Sequence, residues 1–344
     1  MTNSEPLISV VVVNWNGIRY LAECLESLAA QTWPRCELIL VDNGSTDGSE
    51  RLVREWCDNG RARALMLGEN TGFTRANNLA FREARGEWIA LLNNDAVAAP
   101  DWLEQLVRCG DPERKIGMLG GKILFAWDKT LIDKAGHLIY RDGLNRGRGT
   151  GQKDEGQFEA EEEILWPDGC AVLYHRQLLA DTGGFDDDFF AYGDDADLGI
   201  RARLLGWRAW YVPRAVVYHH HSGTAGAYSP LKAMLVERNR LFLALKNFPL
   251  GVLLQNPFWA LRRYAWQAYG ALAATGSSGR FVREHGRWRL VKTLGWAYLS
   301  AAKRLFPILA KRRKIQKNRQ LSTHEIKALL RRYKITVKEL TLQD

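Results

Sequence analysis

The sequence predicts an α/β chain, a mostly parallel sheet flanked by helices, followed by a basic helical module. Three observations carry this expectation. Apolar, β-branched runs alternate with helix-spaced apolar residues through the first half, as in strands buried on both faces and joined by crossover helices. Several of these runs end in Asn or Asp, at Asn14, Asp42 and Asp95, where ligands of open parallel sheets gather. Charge is the third: residues 228–344 hold 24 Lys and Arg against 5 Asp and Glu, net +19, while residues 1–227 hold 24 against 34, net −10. The division expected is therefore a domain over 1–227 and a basic amphipathic region over 228–344.

Taken in order, Leu7–Asn14 reads as a strand, and Ile18, Leu21, Leu25 and Leu28 then recur at helical spacing. Glu37–Val41 repeats the strand pattern and stops at DNGSTDGS, a turn cluster able to cap the helix that carries Leu52, Val53 and Trp56. Ala62–Leu67 reads as strand and Thr74–Ala84 as helix. Glu87–Leu92 is the strand that delivers Asn93, Asn94 and Asp95. A helix is expected over Pro100–Cys109 and strands at Gly117–Phe125 and Leu138–Tyr140. The Gly/Arg-rich stretch Arg141–Gly156 reads as a mobile loop. Strand Ala171–His175, helix Arg176–Asp181, helix Asp194–Leu205 and two strands, Trp207–Pro213 and Ala215–His220, complete the first domain. Beyond it the pattern is helical, over Leu231–Lys246, Pro257–Ala274, Trp288–Leu309 and Thr323–Tyr333.

Composition bounds the function. A chain of 344 residues, 46% hydrophobic and 25% charged, is globular and can bury a core. Its five cysteines are odd in number and lack CxxC spacing, which argues against a disulfide framework or a zinc site and for a reducing cytosol. MTNSEPLISVV lacks a basic segment followed by an apolar one, and no run reaches the ~18 apolar residues of a spanning helix, so neither secretion nor membrane spanning is expected. VVVVNWNG carries one glycine and no GxGxxG, which argues against a dinucleotide-dependent dehydrogenase. The basic module interleaves Trp259, Trp266, Trp288 and Trp296 with arginines and suits an anionic surface, whether phospholipid, lipid diphosphate or nucleic acid.

Three short stretches carry chemistry. LLNNDAV ends a strand in Asn93, Asn94 and Asp95, amides and one carboxylate suited to a divalent cation and a diphosphate; alone, it would be a polar turn. In GDDADLGIR, Asp194 and Asp195 stand at a helix start. They either complement the helix dipole or, as like charges raising one pKa, serve a base acting on a hydroxyl. VVYHHHSGT offers a neutral imidazole, so Asp95 with one histidine of that strand makes an open site for a Mg- or Mn-like ion. Asp42 either accepts from a nucleobase or ribose or closes an Asx turn. ENTGFTRANN supplies a glycine turn, an arginine and two amides suited to a nucleoside diphosphate.

Read together and in this order, VVVVNWNG, VDNGSTDGS, ENTGFTRANN, LLNNDAVAAPDWLEQLV, GGFDDDFFAYGDDADLGIRARLLGW and AVVYHHHSG closely resemble family 2 glycosyltransferases of the bacterial rhamnosyltransferase-like branch. The resemblance runs from about Leu7 to Gly223. It implies a GT-A fold (Rossmann-like), a nucleotide-sugar donor, an inverting reaction and a divalent metal, Mg or Mn. It also places Asn93, Asn94 and Asp95 at the family's DxD motif, with Asp95 on the metal. Asp42 would read the base, and Asn14, Gly72, Arg75 and Asn78 would line the nucleotide pocket. Asp195 falls at the catalytic base, with Asp194 replacing the usual preceding glutamate, a wording shared with galactofuranosyl transferases. His219 is the first metal-ligand candidate and His220 the second, since strand neighbours point to opposite faces.

The expected activity is therefore transfer of a sugar, best L-rhamnose from dTDP-rhamnose, to a polyprenyl-diphosphate-linked saccharide in cell-surface polysaccharide synthesis such as that of O-antigen. The enzyme is expected in the cytoplasm, peripheral at the inner face of the cell membrane, and as a possible homo-oligomer. A UDP-sugar-dependent galactofuranosyl or hexosaminyl transferase is the alternative within the class. A nucleic-acid-binding protein using the basic tail is the alternative outside it.

Overall fold

A computed structural model describes residues 5–220 and 229–342. The chain forms two compact units. The first comprises residues 5–136, 147–203 and 207–220, the second residues 137–146, 204–206 and 229–342. The expected boundary at 227 falls outside the described residues, as does His221.

In the first unit the elements run β1 (Ile8–Asn14), α1 (Leu21–Ala29), β2 (Cys36–Asp42), α2 (Ser49–Asp58), β3 (Arg63–Met66), α3 (Phe73–Glu83), β4 (Trp88–Leu92), β5 (Ala96–Ala98), α4 (Trp102–Arg108), β6 (Ile116–Phe125) and β7 (Ile132–Lys134). A short pair that lies in the second unit except for Gly147, β8 (His137–Ile139) and β9 (Asn145–Gly147), interrupts this order. Then come β10 (Glu162–Ile164), β11 (Ala171–His175), α5 (Arg176–Thr182), α6 (Asp194–Leu204) and β12 (Arg208–His219).

The main sheet has the order β10-β12-β6-β11-β4-β1-β2-β3, with β5 paired to β12 and β7 to β6. Strands β4, β1, β2 and β3 are parallel, as alternation with helices requires. β11 enters antiparallel between β4 and β6. The core sits under the parallel half, where Val10, Val12, Leu40, Ala90 and Leu92 meet Leu21, Leu25, Trp102 and Leu106 of the flanking helices.

Two differences from expectation have clear causes. The two strands expected around Pro213 are one, β12, whose pairing with β6 shifts register between Val212 and Val216. Proline has no N–H for the ladder and is accommodated at such an irregularity. Opposite it stands Gly121, where a Cβ would lie 1.6 Å from the Ala215 carbonyl oxygen. Only a glycine permits that approach. The stretch expected as a mobile loop, 141–156, is instead ordered around β9, and its Asp142 is fully buried in the second unit.

The second unit is helical: α7 (Pro230–Asn247), α8 (Leu250–Leu253), α9 (Asn256–Leu272), α10 (Gly276–His285), α11 (Arg287–Lys303), α12 (Leu305–Asn318), α13 (Thr323–Arg332) and α14 (Val337–Leu342). The helix expected over 288–309 breaks at Arg304 because the ring of Pro307, in the first turn of α12, would clash with the carbonyl four residues before it. A buried ionic cluster holds this unit. Arg263 Nε donates to Asp142 Oδ2 at 2.6 Å and its Nη2 to Glu237 Oε2 at 2.9 Å, while Arg240 Nη2 meets Glu237 Oε1 at 2.6 Å. Among the described residues no helix is long and apolar enough to cross a membrane.

Candidate active site

The carboxyl ends of β1, β2 and β4 are pinned together by side chains. Asn14, closing β1, directs Nδ2 at Asp42 Oδ1 (3.2 Å) and Ser49 Oγ (2.8 Å) and accepts from Asn94 Nδ2 through its Oδ1 at 2.9 Å. Asp42 Oδ2 in turn accepts from the Ser45 backbone N–H at 3.2 Å. Asn14, Asp42 and Asn94 are buried, so this network fixes the floor at the sheet's carboxyl edge. Asn93 is half-buried beside it, and its backbone N–H donates to the Cys170 carbonyl of the next strand.

Asp95 and His219 meet because β5 turns back antiparallel along the end of β12, with His219 opposite Ala96. His219 Nε2 lies 3.2 Å from Asp95 Oδ1, and its Nδ1 lies 2.7 Å from Asp133 Oδ2 on β7. Burial works against a charge on His219, yet its pKa stands well above the ordinary imidazole value, with the Cys170 sulfur and hydrogen bonds to Asp133 and Asp95 opposing burial. The Cys170 thiol is itself pushed up by burial and is uncharged at neutral pH, so the two carboxylates carry the effect.

Strand alternation sends His220 the other way. Its ring packs on Tyr20 at 4.5 Å and its Nε2 lies 3.6 Å from Glu23, while its backbone N–H donates to the Asp95 carbonyl. The structure brings His219, and not His220, to Asp95 through its ring. The Asn78 amide is engaged with the Phe185 backbone (2.9 Å) and Asp187 (2.7 Å), tying α3 to the segment before α6. Arg75 is exposed in the first turn of α3. Gly72 precedes it at φ +87°, and a Cβ there would sit 2.5 Å from the Phe190 ring.

In the acidic helix start the three carboxyls differ. Burial, then the adjacent Asp195 carboxylate, hold the Asp194 carboxyl well above the usual range. Asp195 is half-buried; its Oδ1 accepts from the Ala196 N–H at 2.8 Å. Asp197 pairs with Arg201 at 2.8 Å inside the protein and is structural. The backbone leading to them takes positive φ at Phe190, Tyr192 and Gly193, a strained approach of the kind found at functional sites.

Four residues of the site carry no sequence signal strong enough to single them out. Asp133 fixes His219. Lys134, beside it, lies 3.5 Å from Asp133 and 3.2 Å from Asp168. Its charge, opposed by burial, is held by those two carboxylates. Asp168 reaches within 4.8 Å of an Asp195 carboxylate oxygen. Tyr192 has its hydroxyl pKa raised by burial, then by Asp194 and Asp95. The polar run IDK and the aspartate of PDGC are the only hints, and neither has a distinctive spacing.

The donor set suits a hard divalent cation. One carboxylate oxygen and one imidazole nitrogen converge, and in the neutral imidazole Asp133 on the far ring nitrogen would set the tautomer that presents the Nε2 lone pair beside Asp95. Water and a diphosphate oxygen would complete such a sphere.

Residues 9–183 match the family model described as Glycosyl transferase family 2. Among curated proteins, the N-acetylglucosaminyl-diphospho-decaprenol L-rhamnosyltransferase of Mycobacterium tuberculosis is 26% identical over 289 residues, covering 78% of this chain and 91% of that one. The O-antigen biosynthesis protein RfbC of Myxococcus xanthus is 30% identical over 232 residues, 64% of this chain but 18% of its own length. Among solved structures, the mannosyltransferase PcManGT of Pyrobaculum calidifontis in complex with GDP-Man and Mn2+ aligns with TM-score 0.53 and 19% identity over 88% of this chain and 87% of that one. S. aureus TarS 1-349 in complex with UDP aligns with TM-score 0.53 and 16% identity over 90% and 91%. The shared fold is GT-A, a mixed, mostly parallel sheet flanked by helices.

Proposed function

Since the chain belongs to glycosyl transferase family 2, we propose that this glycosyltransferase is inverting and metal-dependent, moving a sugar from a nucleoside-diphosphate donor to a lipid-linked saccharide. The observation that carries this reading is the Asp95–His219 contact of 3.2 Å, backed by Asp133. L-rhamnose from dTDP-rhamnose is the donor proposed, on the likeness to the mycobacterial rhamnosyltransferase, whose name also specifies a diphospho-decaprenol acceptor. Work on such an acceptor places the enzyme at the cytoplasmic membrane face.

Asp195 accepts the proton of the acceptor hydroxyl, its oxygen bonds to the anomeric carbon from the face opposite the leaving group, and the bond to the nucleoside diphosphate breaks. Burial and the neighbouring charge raise the Asp194 carboxyl well above the usual range, while Asp195 is half-buried and is the carboxylate assigned to the reaction. Asp95 and His219 would hold the divalent ion, which when bound neutralises the departing diphosphate. Asn93 and Asn94 lie beside that position to meet the donor, and Asn14, Asp42, Gly72 and Arg75 line the nucleotide end. The base contributes roughly 10²–10⁴-fold, and positioning with leaving-group electrostatics supplies the remainder.

The test is thermal stabilisation of the protein by dTDP- and UDP-sugars with and without Mn2+, since a ligand of the folded state raises Tm. A Mn2+-dependent shift with dTDP-rhamnose supports the proposal. A shift confined to UDP-sugars transfers it to a UDP-sugar-dependent enzyme, and no shift with any donor refutes it.

A further inference from the structure

The helical unit contains a cavity of about 210 Å3 that the transfer chemistry does not use, lined by Tyr140, Arg141, Trp259, Lys327, Arg331 and Lys334 together with Gln255 and aliphatic side chains. None of the described lining residues is acidic, and among the described residues no carboxylate pairs with any of the four cations. Local structure gathers them. Lys327 and Arg331 stand one turn apart on α13, and Lys334 is brought to Ile139, just before Tyr140 and Arg141, by a parallel bridge. Like charges at this helical spacing repel, although Arg331 in the last turn also meets the negative end of the helix dipole.

Two further observations give the cavity a ligand chemistry. Tyr140 is 4% exposed, and its hydroxyl is buried with no hydrogen-bond partner. A small turn of the Tyr140 ring toward the cavity, of which Tyr140 is a lining residue, would let that hydroxyl donate to a ligand oxygen. Trp259, which carries the Arg141 guanidinium over its ring at 4.3 Å, also packs against Phe258 at 5.0 Å. Phe258 belongs to an exposed apolar row, with Leu254 74% and Leu261 69% exposed, that runs from the end of α8 into α9 beside the cavity-lining Gln255 and Trp259. Single exposed apolar side chains are ordinary, whereas a row beside a cationic pocket suits a ligand with a charged head and an apolar body. Free phosphate or nucleic acid would leave that row unused.

We propose that this cavity binds the phosphate of an anionic membrane phospholipid, with Leu254, Phe258 and Leu261 entering the lipid interface beside it. The inference deepens the membrane-facing part of the function proposed above and rests on it for its setting. Guanidinium and ammonium groups, with the Tyr140 hydroxyl, are the donors a phosphate takes.

The test is co-sedimentation of the full chain with vesicles of phosphatidylcholine alone, or of an equal mixture with phosphatidylglycerol. Wild type should bind the mixed vesicles and not the neutral ones. Lys327→Gln with Arg331→Gln should lower partitioning roughly 30-fold, at the ~1 kcal/mol that each cation near an anionic surface supplies. Arg313→Gln with Lys317→Gln on α12 removes the same charge at the same spacing and should do much less. Tyr140→Phe should weaken binding without lowering Tm. Equal losses in both double variants, unchanged binding of the cavity variants, or preference for single-stranded DNA over the mixed vesicles would overturn the proposal. So would binding to phosphatidylcholine vesicles only when they carry a polyprenyl diphosphate. Donor-induced Tm shifts read the transferase function separately, so its failure leaves the vesicle result interpretable.

Discussion

Asp133 offers the most direct probe of the candidate metal site, because it touches His219 from behind and has no access to substrate. The contact is 2.7 Å and Asp133 is fully buried, so the hydrogen bond is charge-assisted and unscreened by water. Loss of such a support lowers metal affinity about 10–100-fold, or ~1.4–2.7 kcal/mol at 1.36 kcal/mol per decade. Asp133→Asn keeps an acceptor oxygen but not the charge, and belongs near tenfold. Asp133→Ala removes both and belongs near a hundredfold. Lys134 keeps Asp168 at 3.2 Å in either variant, so its burial remains compensated. Mn2+ binding followed by electron paramagnetic resonance on folded protein, with Tm recorded alongside, gives the answer without relying on turnover. Mn2+ affinity in Asp133→Ala within twofold of wild type, at normal Tm, would refute the assignment of Asp95 and His219 as ligands oriented by Asp133.

Asp195→Asn should reduce kcat by roughly 10²–10⁴-fold while leaving the Mn2+-dependent Tm shift by the donor intact; equal turnover would remove Asp195 as base. Mn2+ affinity should rise with pH, because the ion needs the neutral imidazole whereas metal-free His219 holds its proton to well above the usual value. Below that folded-state pKa, the apparent affinity should gain about tenfold per pH unit, with one proton released per ion, measurable by calorimetry in buffers of different ionisation heat. In the metal-free protein the same raised pKa stabilises fully below the unfolded imidazole value of about 6.5 and is lost as pH rises through the folded value. Asp142→Ala should destabilise the helical unit by about 1–3 kcal/mol, since it removes one of the two buried counter-ions of Arg263 and leaves Glu237 to serve both Arg263 and Arg240. Urea unfolding monitored by tryptophan fluorescence would show it as a lowered midpoint.

Residues whose role depends on their own strand end are legible in the sequence. Asn14, Asp42 and Asp95 lie where an apolar run stops, and the alternation of such runs with helices already implies a shared edge. Strand periodicity also implies that one of His219 and His220 faces the cation, but not which. That choice is made by the pairing of β5 with β12, a register between segments more than a hundred residues apart. The charge count places a boundary near 227, yet residues 137–146 belong to the helical unit, because Asp142 is needed there by Arg263. A Gly/Arg-rich composition cannot reveal that one of its few acids is a buried counter-ion. Asn78 defeats the pattern for a related reason: an amide beside a glycine turn suits a phosphate and a neighbouring backbone equally well.

The same three-dimensional pairing explains why the site should take its ion together with the donor. Contacts run without a gap from Asp95 through His219, Asp133 and Lys134 to Asp168, and Asp168 approaches Asp195. Along this chain of contacts four carboxylates stand against His219 and Lys134, and burial and Asp195 hold the Asp194 carboxyl well above the usual range. Replacing the His219 proton with a divalent cation adds one positive charge overall. Carboxylates so close together favour the cation and repel a diphosphate, whose attraction to this edge then comes chiefly through the metal, with Arg75 at the nucleotide end. Donor and metal should consequently bind cooperatively, and by linkage each should tighten the other by the same factor. Mn2+ affinities measured with and without nucleoside diphosphate, and nucleotide affinities with and without Mn2+, must agree in that factor. Independent binding of the two would mean that the diphosphate does not share the ion held by Asp95 and His219.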